Sequence, residues 1–275
     1  MATSFAAKVL VVGIDGVRWD TLHRAQTPAL DAITARGFRA PVQVHTAGPT
    51  ISGPCWATIA TGTLASTHGV LDNENPPDAM PADFLTAARG AGFRTYAGAS
   101  WPAMLSPVDC GPIFAPDARM TVAADPGHRL DAWDTADQLV VNEACEALAD
   151  GEIGAAFLYF GVADEVAHAL GVGPEYLAAI EACDRRLGAV IDGIGALNGQ
   201  GEWTVIAVTD HGHVDAGGHG GDTPEERTAW ITACGPRMPR ESPARLEQAD
   251  VYAQALSVLG LPVEPDRFAR PFGAR

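Results

Sequence analysis

The stretch of this chain with the most chemical potential is TVIAVTDHGH, Thr204 to His213. Its first six residues are apolar or β-branched and read as a buried strand, which then ends in Asp210-His211-Gly212. A carboxylate and an imidazole side by side at the carboxyl end of a core strand suit a divalent metal of hard to borderline character. In open α/β sheets that end of a strand is where ligands bind. Asp15 ends the first apolar run, VVGIDG, at the same kind of position. Asp164 and His168 follow a third apolar run in GVADEVAHALG, and their i, i+4 spacing puts both on one face if the segment is helical. His219 lies in the glycine-rich GGHGG, where the backbone can carry an imidazole close to a crowded centre. Singly, each has an ordinary reading: a turn aspartate, a surface pair, a flexible loop. Together they make three carboxylates and three imidazoles, enough for two metals with about three protein ligands each, the shape of a two-metal phosphoryl-transfer site.

A nucleophile is also present. Ser52, in PTISGPCWATIATG, directly precedes a short helix expected from Pro54 to Thr61. A serine there is ordinarily an N-cap, but a helix N-terminus is also an anion site. A hydroxyl bound to a metal there needs no histidine as base. Thr50 is the competing candidate.

The elements that must position these groups alternate along the chain. Strands are expected at Lys8–Ile14, Arg94–Gly98, Ala155–Phe160, Trp203–Thr209 and Ala229–Ala233. Helices are expected at Thr27–Arg36 (with a Thr-Pro pair suited to N-cap and N1), Ala82–Arg89, Asp134–Ala149, Pro174–Ile194 and Ala249–Leu259. The pattern predicts a three-layer α/β/α sandwich with a mostly parallel central sheet. Gly and Pro gather around 98–127 and 212–224, long irregular stretches of the kind that usually serve function. No linker or charge block divides the 275 residues, so residues 1–275 read as one catalytic domain.

Composition narrows the partners. The formal net charge of −16 argues against a nucleic acid polymer. It leaves room for a small phosphorylated substrate, because local charge and bound metals decide such binding. No run approaches a membrane span, and the start MATSFAAKVLVVGID does not read as a signal peptide. The five cysteines are scattered without a C-x-x-C pair, so neither a disulfide framework nor a Cys zinc site is expected. A cytoplasmic protein of unspecified oligomeric state is the expectation.

At this point the chain resembles the alkaline phosphatase superfamily, and within it the branch of type I phosphodiesterases and nucleotide pyrophosphatases. That branch carries P-[ST]-x-[ST]-x-P, then T-G, then H-G-[IV]-x-x-N. Here PTISGP, Thr61-Gly62 and HGVLDN (His68 to Asn73) stand in that register, followed by Asp164-x-x-x-His168, Asp210-His211-Gly212 and His219. The resemblance runs from Lys8 to about Pro236. It implies that Ser52, not Thr50, is the nucleophile, and that Asn73 donates to a non-bridging phosphate oxygen. It further implies that Asp164, His168 and His219 hold one metal while Asp15, Asp210, His211 and Ser52 hold the other. Trp101-Pro102 also looks like a family feature, with Trp101 as a substrate contact. Two divalent ions follow, zinc first, with manganese or iron as alternatives.

Two departures matter. Nucleotide pyrophosphatases usually carry an aromatic residue after the nucleophile, stacking on the base, and here that residue is Gly53. Sulfatases share the fold but follow the modified residue with x-P-x-R; here Trp56 stands where that arginine belongs. The expected activity is therefore hydrolysis of phosphodiester or pyrophosphate bonds through a phosphorylated Ser52, with Asn73 and the backbone N–H groups after Ser52 holding the developing charge. Phosphomonoester or phosphonate hydrolysis is the alternative, and a non-catalytic metal-binding module the alternative of another class. The stretch 101–133 is the expected small cap over the site.

Overall fold

A computed structural model of the chain describes residues 7–115, 119–149, 151–196, 203–236 and 238–273. In chain order its elements are β1 (Lys8–Ile14), α1 (Trp19–Leu22), α2 (Pro28–Arg36), β2 (Gly37–Gln43), α3 (Ser52–Thr61), α4 (Ala65–His68), α5 (Phe84–Gly90) and β3 (Arg94–Ala99). A short 3-10 turn (Pro102–Met104) leads to β4 (Met120–Val122), α6 (Leu130–Ala149), β5 (Ile153–Phe160), α7 (Val162–Leu170) and α8 (Pro174–Gly193). The chain finishes with β6 (Trp203–Val208), α9 (Pro224–Arg227), β7 (Thr228–Cys234) and α10 (Asp250–Leu259).

The strands form one seven-stranded sheet in the order β2-β7-β6-β1-β5-β3-β4. β1 pairs in parallel with β5 on one side and β6 on the other, with Val11 opposite both Phe157 and Ile206. β7 alone runs against its neighbours. Helices α2, α6, α7 and α8 pack on one another across one face, and α3, α5 and α10 cover the other. The mostly parallel three-layer sandwich expected from the sequence is the fold observed.

β5 and β6 are buried at every position, and β1 at every position but Lys8. That is why all three read as unbroken apolar runs rather than alternating ones. Each fully buried Val, Leu, Ile or Phe contributes about 1.5–3 kcal/mol. This continuous core under the central strands is what can carry polar groups out of water at their ends. Among the described residues no helix is long and apolar enough to cross a membrane. No disulfide is present; four of the five cysteines are buried and Cys145 is half-buried.

Three local features differ from the sequence reading. β2 lies where no strand was expected, because Pro41 breaks the hydrogen-bonding pattern of a central strand. It is an edge strand: Phe38, Ala40 and Val42 face the core while Pro41 points to solvent. Thr27 is the N-cap of α2 but makes no side-chain cap bond. Asp184 of α8 instead accepts the Ala29 and Leu30 N–H groups. Helix α3 starts at Ser52, two residues earlier than expected, with Ile51 as its N-cap.

The 101–133 stretch is more than a cap. Ala103, Met104, Leu105, Ile113 and Phe114 are core residues, and β4 extends the sheet edge.

Candidate active site

The central strands point their carboxyl ends at one place. Asp15 directly follows β1 and is fully buried. Its Oδ2 accepts from Trp56 Nε1 at 2.8 Å and from the Tyr159 hydroxyl at 2.6 Å. Asp210 stands two residues past the end of β6, also fully buried, with Oδ1 accepting the Gly16 N–H at 3.0 Å. His211 Nε2 lies 3.1 Å from Asp210 Oδ2 and 3.7 Å from Asp15 Oδ1. His211 Nδ1–H donates to the Gly212 carbonyl at 3.1 Å. In the neutral ring that leaves the Nε2 lone pair facing the carboxylates.

The segment after β5 is helical, so Asp164 and His168, at i and i+4, share one face. Its start is built by a neighbour. Asp137 of α6, fully buried, accepts the Gly161 and Val162 N–H groups at 3.0 and 3.2 Å, supplying the cap that Gly161 lacks. Asp164 Oδ2 then lies 3.3 Å from His168 Nε2. His219 arrives from the glycine-rich loop, its Nδ1–H donating to the Thr50 carbonyl at 2.6 Å. Its Nε2 stands 3.0 Å from His168 Nε2 and 3.7 Å from Asp164 Oδ1. The loop's shape depends on Gly217, Gly218 and Gly220, all with φ between 85° and 113°. A Cβ at Gly217 would stand 2.0 Å from the Ala167 carbonyl.

These residues fit divalent ions. Asp15, Asp210 and His211 form one set whose ligand atoms lie within 4.8 Å of one another; Asp164, His168 and His219 form a second. Asp15 Oδ1 and Asp210 Oδ2 are buried with no hydrogen-bond partner, and buried polar atoms are rarely left so unless something else occupies the site. Burial and then the neighbouring Asp210 push the Asp15 carboxyl well above its usual range, and burial pushes Asp210 up to about 8. Burial holds His211 well below its ordinary value. Asp164 behaves oppositely: burial pushes it up, but its contacts with His168 and His213 outweigh that and hold it well below the usual range. Two adjacent buried carboxylates repel unless a cation sits between them, and a bound divalent ion inverts this local balance.

The nucleophile candidates separate geometrically. Thr50 Oγ1 donates to the Gly221 carbonyl and accepts the Gly220 N–H, so its hydroxyl is committed to the glycine-rich loop. Ser52 Oγ lies 3.1 Å from His211 Nε2 and lines a cleft of about 280 Å³. Asn73, Trp101, Asp164, His168 and His219 border the same cleft. Asn73 Oδ1 accepts the Gly53 N–H at 2.7 Å, which turns its Nδ2 donor away from Gly53. His68 positions that loop, its Nε2 paired with Thr58 Oγ1 and its Nδ1 accepting the Val70 N–H.

One expectation does not hold. The backbone N–H groups after Ser52 are not free donors, because Gly53 N–H is taken by Asn73, Pro54 has none, and Cys55 N–H bonds the Ile51 carbonyl. Gly53 also has no room for a ring: a Cβ there would stand 2.8 Å from the Asp72 carbonyl and from Cys110 Sγ. Phe114 is in the core, stacked on Phe157, and the buried Trp56 is tied to Asp15 through its Nε1–H, so neither ring is free to cover the cleft.

The cleft also contains residues the sequence reading passed over. Tyr159, Trp133 and Glu165 line it, along with Glu74 and Asp109. Tyr159 could have been suspected as a polar-tipped residue near the end of an apolar strand; Trp133 and Glu165 carry no local signal. Burial pushes the Glu165 carboxyl up to about 7. Among the described residues no Lys or Arg borders the cleft. Arg18 is paired with Asp20 and Asp215, and Arg94, at the opposite end of β3, with Glu152.

The sheet topology and the aspartates and histidines clustered at its strand ends are those of an alkaline phosphatase-like α/β protein. A profile of the type I phosphodiesterase/nucleotide pyrophosphatase family matches residues 9–226, and the chain belongs to that family. Human ectonucleotide pyrophosphatase/phosphodiesterase family member 7 is 24% identical over 231 residues, covering 79% of this chain and 50% of the relative. The chain thus spans about half the length of that relative. Among solved structures, murine ectonucleotide pyrophosphatase/phosphodiesterase 5 superposes with a TM-score of 0.71 at 18% identity, covering 94% of this chain and 96% of that one. An inactive variant of the same murine protein, in complex with AMP, gives 0.70 at 17% identity, with the same coverage of both chains. A 2-O GAG sulfatase shares the fold at a TM-score of 0.72 and 13% identity, covering 97% of this chain and 73% of that one.

Proposed function

We propose that the chain hydrolyses phosphodiester or pyrophosphate bonds with two divalent metal ions, zinc first, through a phosphorylated Ser52. The observation that carries this reading is the position of Ser52 Oγ. It lies at the start of α3, 3.1 Å from an imidazole of one ligand set, in a cleft bordered by the other. When bound, the ions would lower the pKa of the serine hydroxyl and of a water, and neutralise charge on the transferring group.

The chain's own residues do the rest. Asp15 is held by Trp56 and Tyr159, Asp210 by the Gly16 N–H, and His211 by the Gly212 carbonyl, so each is fixed in orientation, and His211 Nε2 faces Ser52 Oγ at 3.1 Å. Ser52 Oγ, losing its proton, attacks phosphorus in line as the opposite P–O bond breaks and the alcohol or phosphate leaves; water later attacks the seryl phosphate ester, breaking the P–Oγ bond so that the serine hydroxyl regains a proton and the product phosphate is released. Asn73 Nδ2 is the donor for the developing charge, a role narrowed to it by the commitment of the backbone N–H groups. Asp164, His168 and His219 flank the leaving-group side.

The cleft favours diesters over monoesters. A dianionic monoester calls for a basic partner, whereas Glu74, Asp109 and Glu165 line this cleft and, among the described residues, no Lys or Arg does. Trp101 and Trp133 offer apolar walls to an aryl or base group, and such stacking is worth roughly 1–3 kcal/mol. The test is kcat/KM for an aryl phosphodiester, its monoester and a nucleotide diester series, before and after chelation and metal restoration. Full turnover without metal, or a monoester preference of tenfold or more, would refute the reading.

A further inference from the structure

Asp164 is gripped from two sides, and only one side belongs to the ligand set assigned above. Its Oδ2 faces His168. Its Oδ1 faces His213, which lies two residues past His211 and is fully buried. His213 Nε2 stands 2.8 Å from that oxygen, in a contact bent away from the ideal hydrogen-bond line. Both atoms are buried and neither completes a hydrogen bond elsewhere or, in this geometry, with the other, so each is the other's nearest available partner. The other ring nitrogen settles the tautomer. Gly218 N–H donates to His213 Nδ1 at 3.2 Å, so Nδ1 carries the lone pair and the neutral ring carries its proton on Nε2.

We propose that His213 is a positioning residue: its Nε2–H holds Oδ1 of Asp164, leaving Oδ2 to the metal shared with His168 and His219. This rests on the two-metal reading. A ligating carboxylate with one oxygen tied down has a fixed orientation, and outer partners of this kind tune metal affinity. The same loop serves both ends of the arrangement. Gly217 and Gly218, with φ of 85° and 93°, turn the chain so that Gly218 N–H meets His213, and His219 then follows into the site. The space is fully used: a Cβ at Gly16 would stand 2.5 Å from both His213 Nε2 and Asp164 Oδ1. Rings of His168, His211, His219 and Tyr176 border His213 on its other sides.

The test is zinc binding to the whole chain, by chelator competition, in wild type, His213→Ala and His213→Gln. His213→Ala should still take up two equivalents at saturation, with one dissociation constant weakened roughly ten- to hundredfold and the other unchanged. His213→Gln keeps an N–H donor near the Nε2 position and should recover most of the loss. Unchanged constants in His213→Ala would overturn the inference, as would a glutamine variant as weak as alanine. Loss of a whole equivalent at saturation would make His213 a ligand instead, and would also overturn it. Should the variants not fold, ¹⁵N NMR of histidine-labelled wild type decides: a protonated Nε2 on His213 supports the inference, and a protonated Nδ1 defeats it. A wild type that binds no divalent ion would bring down the two-metal reading itself. A wild type that binds two beside an unaffected His213→Ala brings down only this inference.

Discussion

The proposed role of Asn73 can be tested by two substitutions whose effects on stability and on turnover run in opposite orders. The side-chain amide does two things at once: Oδ1 accepts the Gly53 N–H at 2.7 Å, and Nδ2 is left for the substrate. Asn73→Ala removes both. The Gly53 N–H loses its partner in a buried position, at a cost of about 1–3 kcal/mol. For a chain near this length that lowers the melting temperature by roughly 2–4 °C per kcal/mol. Loss of the donor to developing charge should reduce kcat roughly a hundred- to a thousandfold, with a smaller change in KM. Asn73→Asp keeps the acceptor for Gly53 N–H but replaces the donor with a negative charge facing phosphate. It should melt close to wild type yet turn over more slowly than the alanine variant. The assay is steady-state kcat and KM on an aryl phosphodiester, beside thermal melts of all three proteins. An aspartate variant more active than the alanine one, or effects confined to KM, would refute the argument that Asn73 donates to the transition state.

Other outcomes follow from named contacts. Ser52→Ala should abolish turnover while metal content and melting temperature stay near wild type; a dead Thr50→Ala beside an active Ser52→Ala would reverse the nucleophile assignment. Gly13→Ala would bring a Cβ to 2.4 Å from the Trp56 ring. The ring must move, and with it the Nε1–H that holds Asp15; the expected cost is about 1–3 kcal/mol of stability plus weaker metal binding, and a variant indistinguishable from wild type in both would contradict this packing. Burial raises Asp137 from its ordinary 3.8 to about 6, so its proton favours the folded state below the ordinary value and this contribution is lost as pH rises through 6. Asp137→Asn, compared with wild type by chemical denaturation from pH 4 to 6, should therefore lack a decline of up to about 1.4 kcal/mol per pH unit; identical slopes would show that Asp137 does not titrate in that window.

What the sequence determined by itself was which side chains gather at the strand ends and in what order. Asp15, Asp164, His168, Asp210, His211 and His219 stand at the ends of apolar runs or in a glycine-rich turn, and those runs are the adjacent strands β6, β1 and β5. Because parallel strands bury both faces and open at one end, apolar runs ending in carboxylates and imidazoles are legible without coordinates. Tertiary structure decided everything that depends on groups far apart in the chain. Asp15 is held by Trp56 and Tyr159, 41 and 144 residues away, and α7 is capped from α6 by Asp137. Gly53 N–H is claimed by an amide 20 residues on, which removed a donor that local reading counted as free. His213 shows the same limit: in DHGH it is only a second histidine, and its purpose depends on which oxygen of Asp164 it meets and which nitrogen Gly218 occupies. Local sequence can specify residue types and strand ends; the partner that satisfies each buried polar atom is chosen only when the layers close.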